Sequence, residues 1–276
     1  MRERAGSSSL TAVVAALPEE MRPLYERLAG VEVRRLRTLD ARLAHVGGRP
    51  VALVVGGDGD GNARVSTEEI LSRLPVARLL VIGVAGALTP DLEPGALVLA
   101  DQVRSDVSSD AIEDRVLAPP SALVRWAARV SGARRGRVVS AAALADTPAE
   151  KARLAARHAG AGPAVVDLES MACAEVAAAA GVPWLVLRAV SDTAAEALPA
   201  LLERCRDEAG AVRRGRVARA LLRNPGALPP LLALRRRTLA GARALAPAIQ
   251  SLLDAWPALD EGVPVPRTWT REELHE

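Results

Sequence analysis

Apolar residues in this chain gather in short runs separated by amphipathic stretches. Runs rich in β-branched residues and leucine recur at 10–17, 50–56, 78–84, 95–101, 136–141, 163–166 and 183–190. Helical spacing fills 18–29, 62–74, 119–131, 148–159 and 169–180. Fully apolar strands alternating with helices predict an α/β sheet covered on both faces. The run "LLVIGVAGALTPD" (79–91) is followed closely by "LEPGALVLADQV" (92–103), whose Pro-Gly pair marks a turn. That spacing predicts hairpin-like pairing of the two and hence a mixed sheet. After Asp192 the strand signal stops. A helical pattern then runs from 196 to 253, interrupted at "RNPGALPP" (223–230), and residues 257–276 read as irregular.

Composition narrows the picture. The 276 residues are 50% hydrophobic and 25% charged but only 2% aromatic, with no Phe and a single Tyr, so the core must be aliphatic. Lys151 is the only lysine; arginine carries nearly all the positive charge. Two cysteines and three scattered histidines give neither a disulfide framework nor a metal-ligand spacing nor a Ser-His-Asp triad. No apolar run reaches transmembrane length. "SSSLTAVVAALPEE" superficially resembles a signal peptide, but its apolar run is short and Glu3 dilutes the positive end. It reads as a first buried strand of a cytoplasmic protein. The net charge of +3 is uneven: residues 211–250 hold nine arginines and no acid, leaving 27 Lys+Arg against 33 Asp+Glu elsewhere. That asymmetry predicts a boundary, with 1–200 as the main domain, 201–256 as a basic helical extension and 257–276 as a tail.

Ligands of open α/β sheets bind beyond the carboxyl ends of strands, and four loops fit that placement. In "VVAALPEEMRPL" (13–24), Glu19 and Glu20 either favour a helix N-terminus or serve a site. In "VVGGDGDGNARV" (54–65), Gly57 and its neighbours either present backbone N–H groups to an anion, with Arg64 assisting, or simply make a tight turn. The loop lacks the Lys-Ser/Thr ending of a P-loop, and Asp58 and Asp60 would repel phosphate. In "VIGVAGALTPD" (81–91), Ala85 and Gly86 leave room against bare backbone, for a ligand or for close packing. The fourth feature is a pair of strand ends. "VVDLESMACAEV" (165–176) delivers Asp167 and Glu169, and "VPWLVLRAVSDTAAE" (182–196) delivers Ser191 and Asp192. Such acids either cap helices or, if both strands are buried, converge in an aliphatic surround that raises carboxyl pKa values.

Over residues 10–200 the chain resembles the purine nucleoside phosphorylase and nucleosidase superfamily, close to the methylthioadenosine/S-adenosylhomocysteine nucleosidases. The resemblance rests on "VVAALPEEMRPL", "VIGVAGALTPDLEPGALVLAD" and "VVDLESMACAEVAAAAGVPWLVLRAVSDTA". It implies a three-layer α/β fold with a mixed, partly barrel-like central sheet and a C-terminal helical extension. It also implies roles. Asp192 would protonate N7 of a departing purine, with Ser191 beside it, and Glu20 would activate water. Glu169 would hold the ribose hydroxyls. Ala85, Gly86, Leu144, Ala145 and Leu168 would line base and ribose, and Arg188 and Asp167 would order the carboxylates. No metal or organic cofactor is implied, phosphate being the one co-substrate to consider, and a homodimer is expected.

Departures point within the superfamily. Val84 and Ala87 stand where these nucleosidases usually carry other small residues, and Leu144 replaces an aromatic. Together with "SDTAAEALP" and "ARALLRNPGALPPLLALRRRT", they are more similar to the hopanoid-biosynthesis phosphorylases, which remove adenine from adenosylhopane. The expected activity is thus release of adenine from a 5′-substituted adenosine by water or phosphate. A methylthioadenosine/S-adenosylhomocysteine nucleosidase and a non-catalytic nucleoside sensor are the alternatives. The basic stretch 211–250 reads either as a peripheral membrane contact or as a solvated helix packed on its own domain. It lacks the interleaved aromatics of a nucleic-acid binder.

Overall fold

The computed structural model describes residues 10–106, 115–199, 201–205 and 214–256. Ten strands are present among them: β1 (Leu10–Ala15), β2 (Glu32–Arg35), β3 (Asp40–Val46), β4 (Arg49–Val55), β5 (Val76–Ala87), β6 (Leu97–Ser105), β7 (Val116–Leu117), β8 (Arg134–Ser140), β9 (Ala164–Asp167) and β10 (Trp184–Asp192). The helices are α1 (Pro18–Tyr25), α2 (Asp60–Arg73), α3 (Ser121–Ser131), α4 (Pro148–Leu154), α5 (Ser170–Ala179), α6 (Leu201–Arg204), α7 (Arg214–Arg223) and α8 (Leu228–Ala255).

The long strand β5 organises the sheet. Along one edge it pairs in parallel with β1, which continues through β4, β3 and β2. Beyond the end of β1, the same edge of β5 pairs antiparallel with β9 near the carboxyl end, while the opposite edge pairs in parallel with β10. β10 leads on to β6, β6 to β8 and β8 back to β9, so five strands close into a barrel. The mixed, partly barrel-like sheet expected from the family resemblance is therefore present.

One local expectation fails. The strands around 78–84 and 95–101 do not pair, because β10 lies between them: Leu187 registers with Ile82 of β5 and with Leu99 of β6. The intervening turn is bonded to β10 instead, through Gly95 N to Val190 O (2.8 Å) and Val190 N to Ala96 O (2.9 Å).

Apolar faces are buried on both sides of the sheet. One cluster joins β1, β4 and β5 to α2 and α5, with Ile70, Met171 and Ala174 fully enclosed. A second joins the other face to α1, α3 and α8 through Met21, Leu24, Leu123, Leu245 and Ile249. The second cluster continues past residue 200. Leu252, Leu253 and Trp256 of the supposed extension belong to the second cluster, and Trp126 meets Trp256 edge to face at 5.6 Å. The apolar period of the last half of α8 finds its partner in the sheet face itself. Residues 257–276, read from the sequence as an irregular tail, lie outside the described residues. Among the described residues, no helix is long and apolar enough to cross a membrane.

Candidate active site

Both acid-bearing strands are buried along their whole length, β9 over four residues and β10 over nine. They do not pair with each other. They meet at β5, where Gly86 registers with Val166 of β9 on one side and with Asp192 of β10 on the other. A bulge between Val190 and Asp192 shifts the register there and turns the end of β10 toward the mouth. Two glycines of β5 permit the close approach. A Cβ at Gly86 would stand 3.0 Å from Asp192 Oδ2, and one at Gly83 would stand 2.0 Å from Arg188 Nη1 and 2.9 Å from Glu20 Oε1.

The result is one cavity of about 360 Å3. Its chemical wall contains Glu20, Asp167, Glu169, Ser191 and Asp192, with Ala85, Gly86, Leu144 and Leu168 beside them. Nine of the residues singled out in the sequence thus share one space. Ala145 is buried in the small apolar cluster around Leu154 and does not line it. The roof is aliphatic and comes from later in the chain: Leu198, Leu202, Leu231 and Leu234, with Arg235 and Thr238 at the edge.

Four carboxyl groups and two cations are buried around this space, and their pairing is uneven. Arg188 Nη2 lies 2.6 Å from Asp167 Oδ2. Arg188 also donates to Ser170 Oγ (2.9 Å) and to Ile82 O (3.2 Å), while Asp167 accepts from Ser140 Oγ (2.7 Å) and from Ser170. Burial alone would lower the guanidinium's pKa, but Asp167, Glu169 and Glu20 hold it above its ordinary value. The second pair is Asp192 with Lys151, the only lysine of the chain. Asp192 Oδ1 accepts from Ser191 Oγ at 2.5 Å, and Ser191 Oγ also lies 3.2 Å from Ala85 O.

Glu20 and Glu169 are left to backbone donors. Glu20 accepts from Leu17 N (3.0 Å) and Val84 N (2.9 Å), so it caps its own helix and binds β5 at once. Burial raises its pKa against the opposing pull of Arg188. Glu169 accepts from Gly59 N at 2.9 Å. Burial, and then the nearby charge of Asp167, push its pKa up to about 8. The two carboxyls without a cation of their own are thus the two driven toward the protonated form, as buried unpaired acids are.

The glycine loop follows the tight-turn reading and adds a contact of its own. Gly57 and Gly59 have φ of 95° and 91°, conformations that favour glycine, and they do turn the chain into α2. A backbone N–H of the loop, that of Gly59, also donates to the carboxyl group of Glu169. The anion site considered for Gly57 and Arg64 is not assembled. Gly57 N donates to Ala16 O (3.1 Å), and Gly57 lines a separate cavity between α1, β4 and α2. Arg64 is drawn to Glu175 at 2.5 Å, Arg22 to Glu26 at 2.9 Å, and Arg104 reaches Gln102.

Nothing in the sequence marks Lys151 as a site residue, since a single lysine in "PAEKARLAARH" reads as a solvated helix face. Thr147 caps α4 by accepting from Glu150 N (3.2 Å), which directs Lys151 inward at 0% exposure.

The model of the phosphorylase superfamily matches residues 11–223. Over 157 residues the chain is 33% identical to futalosine hydrolase of Streptomyces coelicolor, a stretch covering 51% of this chain and 66% of that protein, just under two thirds of its length. It is 26% identical over 212 residues to the 5′-methylthioadenosine/S-adenosylhomocysteine nucleosidase of a Marinomonas species, covering 71% of this chain and 90% of the relative. Among solved structures, the 5′-methylthioadenosine/S-adenosylhomocysteine nucleosidase of Neisseria meningitidis superposes with a TM-score of 0.71 at 19% identity, over 90% of this chain and 99% of that one. Futalosine hydrolase of Helicobacter pylori gives 0.71 at 19%, over 90% and 98%. The structural likeness shows a shared fold. With its model spanning more than half of the sequence, the chain belongs to the phosphorylase superfamily.

Proposed function

We propose that the protein cleaves the N-glycosidic bond of a 5′-substituted purine nucleoside and releases adenine. The observation that carries this reading is the single cavity in which Glu20, Glu169 and Asp192 face an aliphatic roof. Breaking the bond from C1′ to N9 builds positive character on the ribose and negative charge on the leaving base. Asp192 donates a proton to N7, which neutralises the base as it departs. Glu169 holds the ribose hydroxyls, with Arg188 and Asp167 keeping that end of the site in place. Glu20, whose pKa burial raises and so makes a stronger base, takes a proton from the attacking water. Water is preferred over phosphate because Arg22 and Arg64 are already engaged by acids and the loop beside them carries Asp58.

The 5′ substituent is bulky and apolar, and adenosylhopane is the proposed substrate. Leu198, Leu202, Leu231 and Leu234 form a wall without aromatic rings, suited to a flexible or polycyclic aliphatic group. Leu228 and Leu232 are 44% and 47% exposed at the start of α8, near exposed Arg235 and Arg236. Apolar tips beside cations at the mouth fit peripheral contact with an anionic membrane that carries such a lipid. A second reading, a nucleosidase for 5′-methylthioadenosine and S-adenosylhomocysteine, is favoured by the named relatives.

Release of the free purine base is measured on adenosylhopane, 5′-methylthioadenosine, S-adenosylhomocysteine and futalosine, each with and without phosphate. The reading expects the highest kcat/KM on adenosylhopane without phosphate, and a loss of about 10²–10⁴-fold in kcat for Asp192→Asn with ligand binding retained. Wild-type rates from Asp192→Asn overturn the assignment of the acid. Preference for methylthioadenosine overturns the substrate but leaves the chemistry.

A further inference from the structure

The ammonium of Lys151 is fully buried and has three acceptors around it. It donates to Asp192 Oδ2, to Thr193 O at 2.7 Å and to Glu196 O at 2.8 Å. A protonated lysine has three N–H donors, whereas the neutral amine has two and a lone pair that would face a carbonyl. The surroundings are therefore matched to the charged form, and each donor has one defined target. Gly86 completes the fit: a Cβ there would lie 3.6 Å from Lys151 Cε and 3.0 Å from Asp192 Oδ2.

Two consequences follow from this geometry. First, the two oxygens of Asp192 are no longer equivalent. Oδ2 is occupied by Lys151, so Oδ1, which accepts from Ser191 Oγ at 2.5 Å, is the oxygen left to carry the proton that goes to the base. Second, the same nitrogen fastens the turn after the acid. Thr193 N donates to Glu196 Oε2 (2.9 Å), Glu196 Oε1 meets Arg237 of α8 (2.9 Å), and Leu198 N donates to Asp146 O (2.7 Å) just after the Leu144 wall. The aliphatic roof and the acid are thus tied to one side chain.

Resting on the assignment of Asp192 as the acid, we infer that Lys151 is a positioning residue for it, fixing Asp192 through Oδ2 so that Oδ1 faces the purine, and fastening the roof turn to the same point. When Asp192 passes its proton from Oδ1 to N7, the carboxylate that remains is neutralised by the ammonium, which keeps all its own protons. Lys151 itself is fully buried and does not line the cavity.

The experiment compares Lys151→Met, Asp192→Asn and the double variant on two probes. One is 5′-heptylthioadenosine, a soluble nucleoside with an apolar 5′ chain. The other is the 4-nitrophenyl riboside with the same chain, whose leaving group departs without a proton. Lys151→Met is expected to lower kcat on the adenosine by on the order of 10²-fold with KM within a few-fold of wild type. On the nitrophenyl riboside it is expected to stay near wild type. The double variant, which removes both buried charges and so leaves neither unpaired, is expected to be no slower than Asp192→Asn alone. Equal losses on both probes, or additive losses in the double variant, overturn the inference. So does wild-type kcat in Lys151→Met while Asp192→Asn is impaired. Full activity of Asp192→Asn instead overturns the assignment of the acid itself. If Lys151→Met does not fold, the double variant against Asp192→Asn decides the question.

Discussion

Arg188 and Asp167 form an ion pair at 2.6 Å with both side chains at most 2% exposed, and neither is free to be lost alone. Each has further partners in Ser170, and Arg188 also sits against Glu20 and Glu169. Removing one member leaves the other charge buried. Asp167→Asn and Arg188→Met are each expected to destabilise the fold by roughly 3–5 kcal/mol, measured by urea unfolding. The arginine variant should also weaken nucleoside binding, because two further carboxyls lose their nearest cation.

Glu169 gives a pH dependence with a defined sign. Its pKa in the fold is about 8 against an ordinary 4.5, so the folded protein holds a proton that the unfolded chain releases. That contribution is complete below 4.5, declines as pH rises and is lost once pH passes about 8. Glu169→Gln keeps an acceptor for Gly59 N–H but cannot ionise. The melting temperature of the variant relative to wild type should therefore climb between those two values and level off above them. A difference that is flat across this range would contradict the raised pKa.

Gly83→Ala tests the crowding beneath β5. The new methyl would fall 2.0 Å from Arg188 Nη1, and Arg188 cannot swing away because its other nitrogens are bound. A stability loss of about 1–3 kcal/mol is expected, with a fall in kcat from the displaced carboxyls. Gly61 in the first turn of α2, where an added Cβ would meet nothing within 4 Å, serves as the comparison for general effects of replacing glycine.

Trp256 tests whether the C-terminal helix is part of the core. It is 2% exposed and packs edge to face against Trp126 in the second apolar cluster. Trp256→Ala is expected to cost about 3–5 kcal/mol, far more than loss of a surface residue. Deleting residues from 211 onward would therefore unfold the protein rather than report on membrane contact. Arg216→Glu with Arg235→Glu, read by flotation with anionic liposomes, keeps the core and tests the contact directly.

Much of this is legible in the residues, and the gaps have physical causes. β9 and β10 announce themselves because strands buried on every side carry unbroken apolar runs. β2 and β3 do not: all four residues of β2 are exposed, and an edge strand written "EVRR" has no apolar run to detect. The expected pairing next to β6 fails because adjacency in sequence says nothing about a strand inserted from far along the chain. Glu20 reads in the sequence as either a helix-cap acid or a site acid; it caps α1 and also lines the cavity. Lys151 is invisible there because burial of a charge is decided by its partner, here 41 positions distant. Periodicity alone leaves the task of the carboxyls open, and the one proposed for them comes from the family resemblance.

The order of the pocket's walls along the chain has a consequence for how such a protein can change. Every proposed acid, base and ribose ligand lies at or before Asp192, whereas Leu198, Leu202, Leu231 and Leu234 all come after it. On the proposed function, the bond-breaking residues and the aliphatic roof over the 5′ group therefore fall in consecutive stretches. Exchange of the later stretch, within the limits set by its packed final turns, offers a route to a new 5′ group with the bond-breaking apparatus inherited intact.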